Sequence, residues 1–488
     1  MSPKYYMKDG EFVIEDYNNA RPFSSFLPGI AGIYGKPLWA FYVNRGQCVA
    51  SFGVNSKDGA IMEFYPANTA YRRTSLEGFR TFVKYENKSG RRGIYEPFAI
   101  HPSENSSRPK QTMYVSRHEF RIEERSAEHG FRVEVVYHTV PGEDFPALSR
   151  TIKVENLASE ERQIEMVDGM PKISPFGLNE WFMKNMSRTI EAWMEAAGIA
   201  EKRPIYRLRV DAADVAEVKH IKSGNFYLSI LQESGARPAI IADPMVVFGS
   251  SGDLVRPDRF ASEDFRMPIS QIDRNITPSA FSYFKSSLMP LKTITLSSLM
   301  GLAASPDHLR SIDKKISSAF FDKARDLNRL EIDKVARSVS VFSQSDLFDA
   351  YVAQTNLDNI LRGGLPIKIG NDGRVIYVFN RKHGDLERDY NNFTVRAENF
   401  AQGNGNYRDA NQNRRLSVWL CPSVSTKDIK DFFELAQLDG YNPLVIKGDR
   451  FSVRKDSARK KITSRYFTKS DVKAVCDFLS GEFTIGEL

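Results

Sequence analysis

The spacing of apolar residues changes at Ser305, and that change limits what the chain can fold into. Before Ser305, apolar residues recur at every second position. In FRVEVVYHTV, Phe131, Val133, Val135 and Tyr137 alternate with Arg132 and Glu134. This is the pattern of a strand with one buried face. RTIKVENL and RQIEMVDGM follow, separated by the polar ASEE, and predict a pair of adjacent antiparallel strands. LWAFYVN (38–44), NFYLSIL (225–231), PAIIADPMVVFG and LKTITLSSLMGLA add further strands. Turn residues recur often enough between them to predict a large sandwich of antiparallel sheets. One helix is predicted within it, over 187–199.

Beyond Ser305 the period becomes helical. Leu309, Ile312, Ile316, Phe320 and Ala324 recur at three or four, after a Ser N-cap with Pro at the first helical position. SQSDLFDAYVAQTNLDNILRGG repeats the pattern, with Ser343 or Ser345 as cap and Gly363 at the stop. STKDIKDFFELAQLDG and TKSDVKAVCDFLSG predict two more helices. Between these lies LPIKIGNDGRVIYVF, a hairpin turning at Asn371, Asp372 and Gly373. The expected layout is a β-rich domain over 1–304, a helical linker over 305–342, and a helix-dominated region over 343–488 with an inserted hairpin.

Aromatic residues make up 12% of the 488 residues, which favours β-rich domains or ring-lined sugar sites over a helical scaffold. The net charge of +7 is spread along the chain. It suits a small anionic ligand such as phosphate. The densest basic run, RKDSARKKITSR, lacks any accompanying nucleic-acid motif and reads as a solvated helix face. Cys48, Cys421 and Cys476 are far apart, which implies neither a disulfide framework nor a zinc site. No apolar leader and no membrane-length apolar run is present, so a cytoplasmic setting without membrane contact is expected.

Three stretches could carry chemistry. GNGNYRDANQNRR (403–415) is the first. Gly403 and Gly405 permit close backbone approach. Asn404, Asn406, Asn411, Gln412 and Asn413 both donate and accept hydrogen bonds, as sugar hydroxyls do. Arg408 and Asp409 add charge-assisted bonds. The run leads into LSVWLC, expected to be buried. It reads either as a sugar site or as a structural polar network at an element's start. FNRKHGDLERDYNNF (379–393) is the second. Among His383, Asp385, Glu387, Arg388 and Asp389, two carboxylates could act as acid and base on a glycoside, and His383 with the arginines could hold phosphate. The alternative is a solvated hairpin arm. EFYPANTAYRRTSLEGFRTF (63–82), with Arg72, Arg73, Glu77 and Arg80, reads as a loop, either structural or reaching to a neighbouring site. The spacing of His118, His129 and His138 supports no metal site.

The stretch Tyr407, Arg408, Asp409, Ala410, Asn411, Gln412 resembles the arginine-aspartate-x-asparagine-glutamine segment that lines the sugar site in cellobiose phosphorylase and its relatives. IEDYNNARPFSSFLPGIAGIYGKPLWAFYVNRGQCVASFGV resembles the start of the large members, the 1,2-β-oligoglucan and β-glucan phosphorylases. The resemblance implies an N-terminal antiparallel β-supersandwich of galactose mutarotase-like type, a helical linker and the start of an (α/α) toroid. It implies inverting phosphorolysis of a β-gluco-oligosaccharide, with inorganic phosphate as co-substrate, no organic cofactor and no metal, in a homodimer. Tyr407, Arg408, Asp409, Asn411, Gln412, Asn413 and Arg414 would then bind substrate. Two departures stand out. Asn413 and Arg414 occupy the place where the family carries an aspartate. None of Trp39, Trp181, Trp193 and Trp419 lies in the Asp-Trp-Asn-Asp type of segment that holds the general acid. The expectation is therefore an N-terminal half. Its toroid is incomplete, it has no catalytic residue of its own, and the acid lies downstream or on a separate chain. A non-catalytic carbohydrate-binding or assembly fragment and a two-carboxylate hydrolase are the alternatives.

Overall fold

The computed structural model describes residues 3–88, 90, 92–100, 108–213, 215–381, 393–468 and 471–488. The period-two region builds antiparallel sheets. The largest has ten strands, in the order Lys4–Lys8, Glu11–Glu15, Lys110–Val115, Phe120–Ser126, Phe131–Thr139, Ala147–Asn156, Thr293–Ala303, Gly224–Leu231, Ile205–Leu208, Met194–Ala197. A five-stranded sheet runs Ala239–Ile241, Ala280–Leu288, Arg162–Met170, Arg80–Asn87, Arg92–Tyr95. Ser24–Phe26, Trp39–Val43, Val49–Gly53 and Ala60–Met62 form a four-stranded sheet. One core draws on all three, with Phe52, Val83, Tyr137, Ile152, Met166 and Leu296 packed together.

The expected pairing of RTIKVENL with RQIEMVDGM does not occur. Ala147–Asn156 pairs with Phe131–Thr139 and Thr293–Ala303, whereas Arg162–Met170 pairs with Arg80–Asn87 and Ala280–Leu288. The polar turn carries the chain from one sheet to the other. Asn156 is buried there, and its Nδ2 donates to Glu160 O at 2.8 Å and Leu288 O at 2.9 Å. The same crossing explains a buried ion pair. Arg150 on the large sheet donates to both Asp168 oxygens on the five-stranded sheet, at 2.5 and 2.9 Å, and to Gln47 Oε1 at 2.6 Å. Thr81 Oγ1 donates to Asp168 at 2.6 Å. Such a pair fixes how the sheets register more than it adds stability.

Phe131, Val133, Val135 and Tyr137 are buried as their alternation requires. Val136 and His138, on the other face, are buried too. The linker covers that face. Its first helix, Pro306–Lys315, is capped by Ser305, whose side chain accepts from His308 N. A second cap at Ser317 then starts Ser318–Ala336, so the linker is two helices rather than one. Asn328 accepts from Thr139 Oγ1 at 3.2 Å and donates to His118 O at 2.7 Å, and Arg325 makes a paired contact with Glu119. The helix predicted over 187–199 is replaced by Glu180–Asn185, a 3₁₀ segment Ser187–Trp193 and the edge strand Met194–Ala197. Edge pairing with Ile205–Leu208 overrides the helical propensity of this alanine-rich stretch.

Beyond the linker, Ser345 caps the helix Asp346–Gly363. Leu365–Ile369 and Arg374–Val378 form the expected hairpin. Short helices follow: Tyr407–Arg414, Ser417–Leu420, Lys427–Glu434, Asp456–Tyr466 and Val472–Ser480. Ile332, Val335, Leu357, Ile360, Leu361, Ile376 and Val378 form a core shared by Ser318–Ala336, Asp346–Gly363 and the hairpin. Phe393 docks this part onto the sandwich, packing on Trp39, Phe26 and Phe64.

Candidate functional site

The run 403–415 folds as a tight bend followed by a helix. Gly403 passes so close to Asn380 and Thr394 that a Cβ would overlap their carbonyl oxygens. At Gly405 a Cβ would lie 2.9 Å from Asn380 Nδ2. The glycines therefore serve close backbone packing. Asn406 then caps the helix Tyr407–Arg414, its Oδ1 accepting from Arg408 N at 3.1 Å.

The helix divides the predicted residues into two groups. Arg414 lies beneath it, buried. Its Nε donates to Gly363 O at 2.6 Å and its guanidinium carbon sits 3.7 Å from the Tyr377 ring centroid. Burial holds Arg414 below the usual arginine range. The Tyr377 hydroxyl meets both Asp428 oxygens at 2.8 and 2.7 Å, and burial raises the Asp428 carboxyl. Asn413 Nδ2 donates to Asp409 O at 2.7 Å, a bond within the helix. Asp409 is partly buried, with its Oδ1 3.8 Å from Arg408 Nε. Arg414, expected to touch substrate, is thus placed as the anchor of the helix. Asn413 and Asp409 do not line the groove beside the helix.

Tyr407, Arg408, Asn411 and Gln412 share that open face. With Asn406, Arg415, Asn442, Pro443 and Leu444 they line a groove of about 760 Å³. The Tyr407 ring stands edge-on to Phe432, with centroids 5.4 Å apart, and its hydroxyl donates to Phe432 O at 3.4 Å. Among the described residues, the side-chain amides of Asn411 and Gln412 make no hydrogen bond within the chain. Among the described residues, no carboxylate lines the groove. It offers amides, guanidinium groups and one ring, which can hold a polyhydroxylated ligand. Sequence reasoning missed 442–444, brought to the site by pairing of Val445–Ile446 with Gly405–Asn406. A two-residue bridge leaves no periodic signal.

LSVWLC was expected to be buried and is not. Trp419 is 81% exposed, and Leu416, Val418 and Leu420 are exposed with it. Leu347, Phe348, Tyr351, Ile429 and Phe433 on neighbouring helices are also exposed. Residues 63–82 are not a loop. They form the helix Ala67–Glu77 and enter the strand Arg80–Asn87. Arg80 is bound to Glu96 and to Val255 O, and Arg73 to Glu77. His383, Asp385, Glu387, Arg388 and Asp389 lie outside the described residues. Among those described, no group of three or more His, Cys, Asp or Glu side chains is placed to hold a metal ion. No helix among them is long and apolar enough to cross a membrane.

No protein-family model and no curated protein matches this chain. Solved structures do. A bacterial glucoamylase complexed with acarbose is similar over 87% of this chain and 51% of its own, at 9% identity and TM-score 0.40. The GH36 α-galactosidase AgaB from Geobacillus stearothermophilus is similar over 62% of this chain and 41% of its own, at 13% identity and TM-score 0.25. A candidate kojibiose phosphorylase from the human microbiome is similar over 72% of this chain and 33% of its own, at 8% identity and TM-score 0.22. This chain spans about half of the first of these proteins and less of the other two.

Proposed function

We propose that the groove along Tyr407–Arg414 is the substrate-holding wall of a carbohydrate site. In this reading the chain serves as the N-terminal part of an inverting glycoside phosphorylase acting on β-glucosidic bonds. The observation that supports this is the division of one helix into an anchored face and an uncommitted one. Arg414 holds it in place, while Asn411 and Gln412 present uncommitted amides, with Arg408 beside them, to a groove. Amides presented on a fixed element match sugar hydroxyls at low entropic cost.

On this reading inorganic phosphate attacks the anomeric carbon, the β-glucosidic bond breaks, and α-glucose 1-phosphate forms with inversion. The leaving oxygen takes a proton from a carboxylic acid. Among the described residues no carboxylate lines the groove, and on this reading the acid is supplied from a facing wall. The sandwich is then the supersandwich of such an enzyme, 305–342 its linker and 343–488 the first part of an (α/α) toroid. Trp419, Phe433, Tyr351 and Leu347 are exposed in this part, and on this reading a further helical layer covers them.

The test is incubation of the purified chain with β-linked gluco-oligosaccharides, with and without phosphate. Binding without turnover is expected, weakened about tenfold by Arg408→Ala or Gln412→Ala. Glucose 1-phosphate made by this chain alone would overturn the assignment of the acid elsewhere. Sugar release without phosphate would point to a hydrolase instead. Absence of oligosaccharide binding would overturn the reading of the groove.

A further inference from the structure

A second cavity, of about 360 Å³, opens in the sandwich between the strand Ala60–Met62 and the starts of the helices Ala67–Glu77 and Glu180–Asn185. That volume suits a small-molecule site. Four of its five charged side chains are held in ion pairs, and the fifth, Asp58, accepts from Glu180 N at 3.2 Å. Lys57 Nζ lies 2.8 Å from one Glu180 oxygen and Lys184 Nζ 3.0 Å from the other. Glu63 is held by Lys172 and by the Tyr65 hydroxyl, 2.7 Å away. An anion entering this cavity would meet Lys57 and Lys184 already paired with Glu180 and the Asp58 carboxylate beside them, so the lining selects against one.

The remaining groups are of two kinds. Phe64, Pro66, Leu178 and Met183 give the cavity an apolar side. Phe64 is held between Trp39, at a centroid distance of 6.2 Å, and Phe393, at 5.9 Å, so this side is fixed before any ligand arrives. The polar side is made by Asn68 and Asn179, whose Nδ2 groups are uncommitted among the described residues. Asn179 Oδ1 accepts from Phe182 N at 2.8 Å, which orients that amide. The helix Ala67–Glu77 begins at Pro66, which has no side chain able to cap it. The Asn68 backbone N–H therefore has no acceptor among the described residues, and a ligand can supply one.

An uncharged ligand with one apolar face and a rim of groups that both donate and accept fits this lining. A pyranose ring has that character. We propose that the cavity is a second carbohydrate-binding site, taking a single neutral sugar unit. The proposal rests on the lining of the cavity and not on the groove reading.

The probe is methyl β-glucopyranoside, followed by saturation-transfer NMR, with inorganic phosphate as the anionic comparison. Measurements use the full chain carrying Arg408→Ala and Gln412→Ala, so that the groove does not contribute, with the wild type as reference. Saturable glucoside binding is expected there, with no competition by phosphate. Asn68→Ala should weaken it about tenfold. Thr69→Trp, which puts a large ring into the lining, should abolish it. Circular dichroism and an unchanged Tm confirm that each variant folds. No glucoside binding in the groove-deficient chain would overturn the proposal and leave the groove reading intact. Binding that survives Thr69→Trp, or that phosphate displaces, would overturn it as well. Binding present in both the wild type and the groove-deficient chain with equal strength would sustain this site and count against the groove.

Discussion

Two buried titratable groups in the sandwich are predicted to make stability depend on pH in opposite directions. Glu124 lies beneath the Tyr95 hydroxyl and accepts from Phe98 N at 2.6 Å and Gln111 Nε2 at 2.7 Å. Burial outweighs these bonds and pushes its carboxyl from 4.5 up to about 7. His138, buried beneath the linker helix, is driven by burial from 6.5 down to about 4. For Glu124 the folded state holds its proton more tightly than the unfolded chain. Its contribution is complete below 4.5 and is lost as pH rises to about 7. For His138 the folded state resists protonation, so its contribution is complete above 6.5 and is lost as pH falls to about 4. Each shift corresponds to about 3 kcal/mol. Between pH 4.5 and 6.5 the two slopes cancel. Glu124→Gln, which mimics the protonated acid, removes one of them. The stability of the wild type minus that of this variant should fall by about 3 kcal/mol from pH 4.5 to 7. His138→Gln should give a difference of the opposite slope between pH 6.5 and 4. Urea unfolding followed by tryptophan fluorescence across this range measures both. Taking differences removes the titration of the exposed carboxylates that all three proteins share. A difference that does not change with pH, or that rises with pH for Glu124→Gln, would refute the reasoning.

Two further outcomes test the structural roles assigned above. Arg414→Ala leaves the Gly363 carbonyl without its donor and empties the space over the Tyr377 ring, so it should cost about 2–3 kcal/mol in urea unfolding. Its effect on oligosaccharide binding should follow loss of the helix rather than loss of a ligand contact, and stabilising osmolyte should restore affinity. Asp168→Ala leaves Arg150 buried and unpaired and should cost about 3–5 kcal/mol. Pairing Asp168→Leu with Arg150→Met should cost less than Asp168→Ala alone, as read from the same unfolding curves.

The coarse layout was legible because it rests on local periodicity. Phe131 to Tyr137 announces a strand by spacing alone, and Ser305 followed by Pro306 announces a helix start. What failed needed knowledge of a distant partner. Asn156 looks like an ordinary turn residue, yet its amide reaches Leu288 and sends the chain into a second sheet. Met194–Ala197 has helical composition and becomes a strand because Ile205–Leu208 offers it an edge. Val136 and His138 read as solvent-facing until the linker helix is laid over them.

The polar run 403–415 shows the same division within a single helix. Composition marked every amide and charge in it as equally able to bind a sugar. Position divides them between two faces, since residues three or four apart share a face. Ala410 and Arg414 define the buried side, four apart, and Arg408, Asn411, Gln412 and Arg415 fall on the other. The one apolar residue in the run, Ala410, was therefore the clue to the helix's orientation. Arg414 sits beside it on the inner face because its guanidinium finds a carbonyl and a ring there. The LSVWLC segment misled for the converse reason. Its apolar side chains suggest a core, but the helix that presents them, Ser417–Leu420, is a single turn with only Ser417 buried. Trp419 is left in solvent because a single turn has no inner face long enough to cover it.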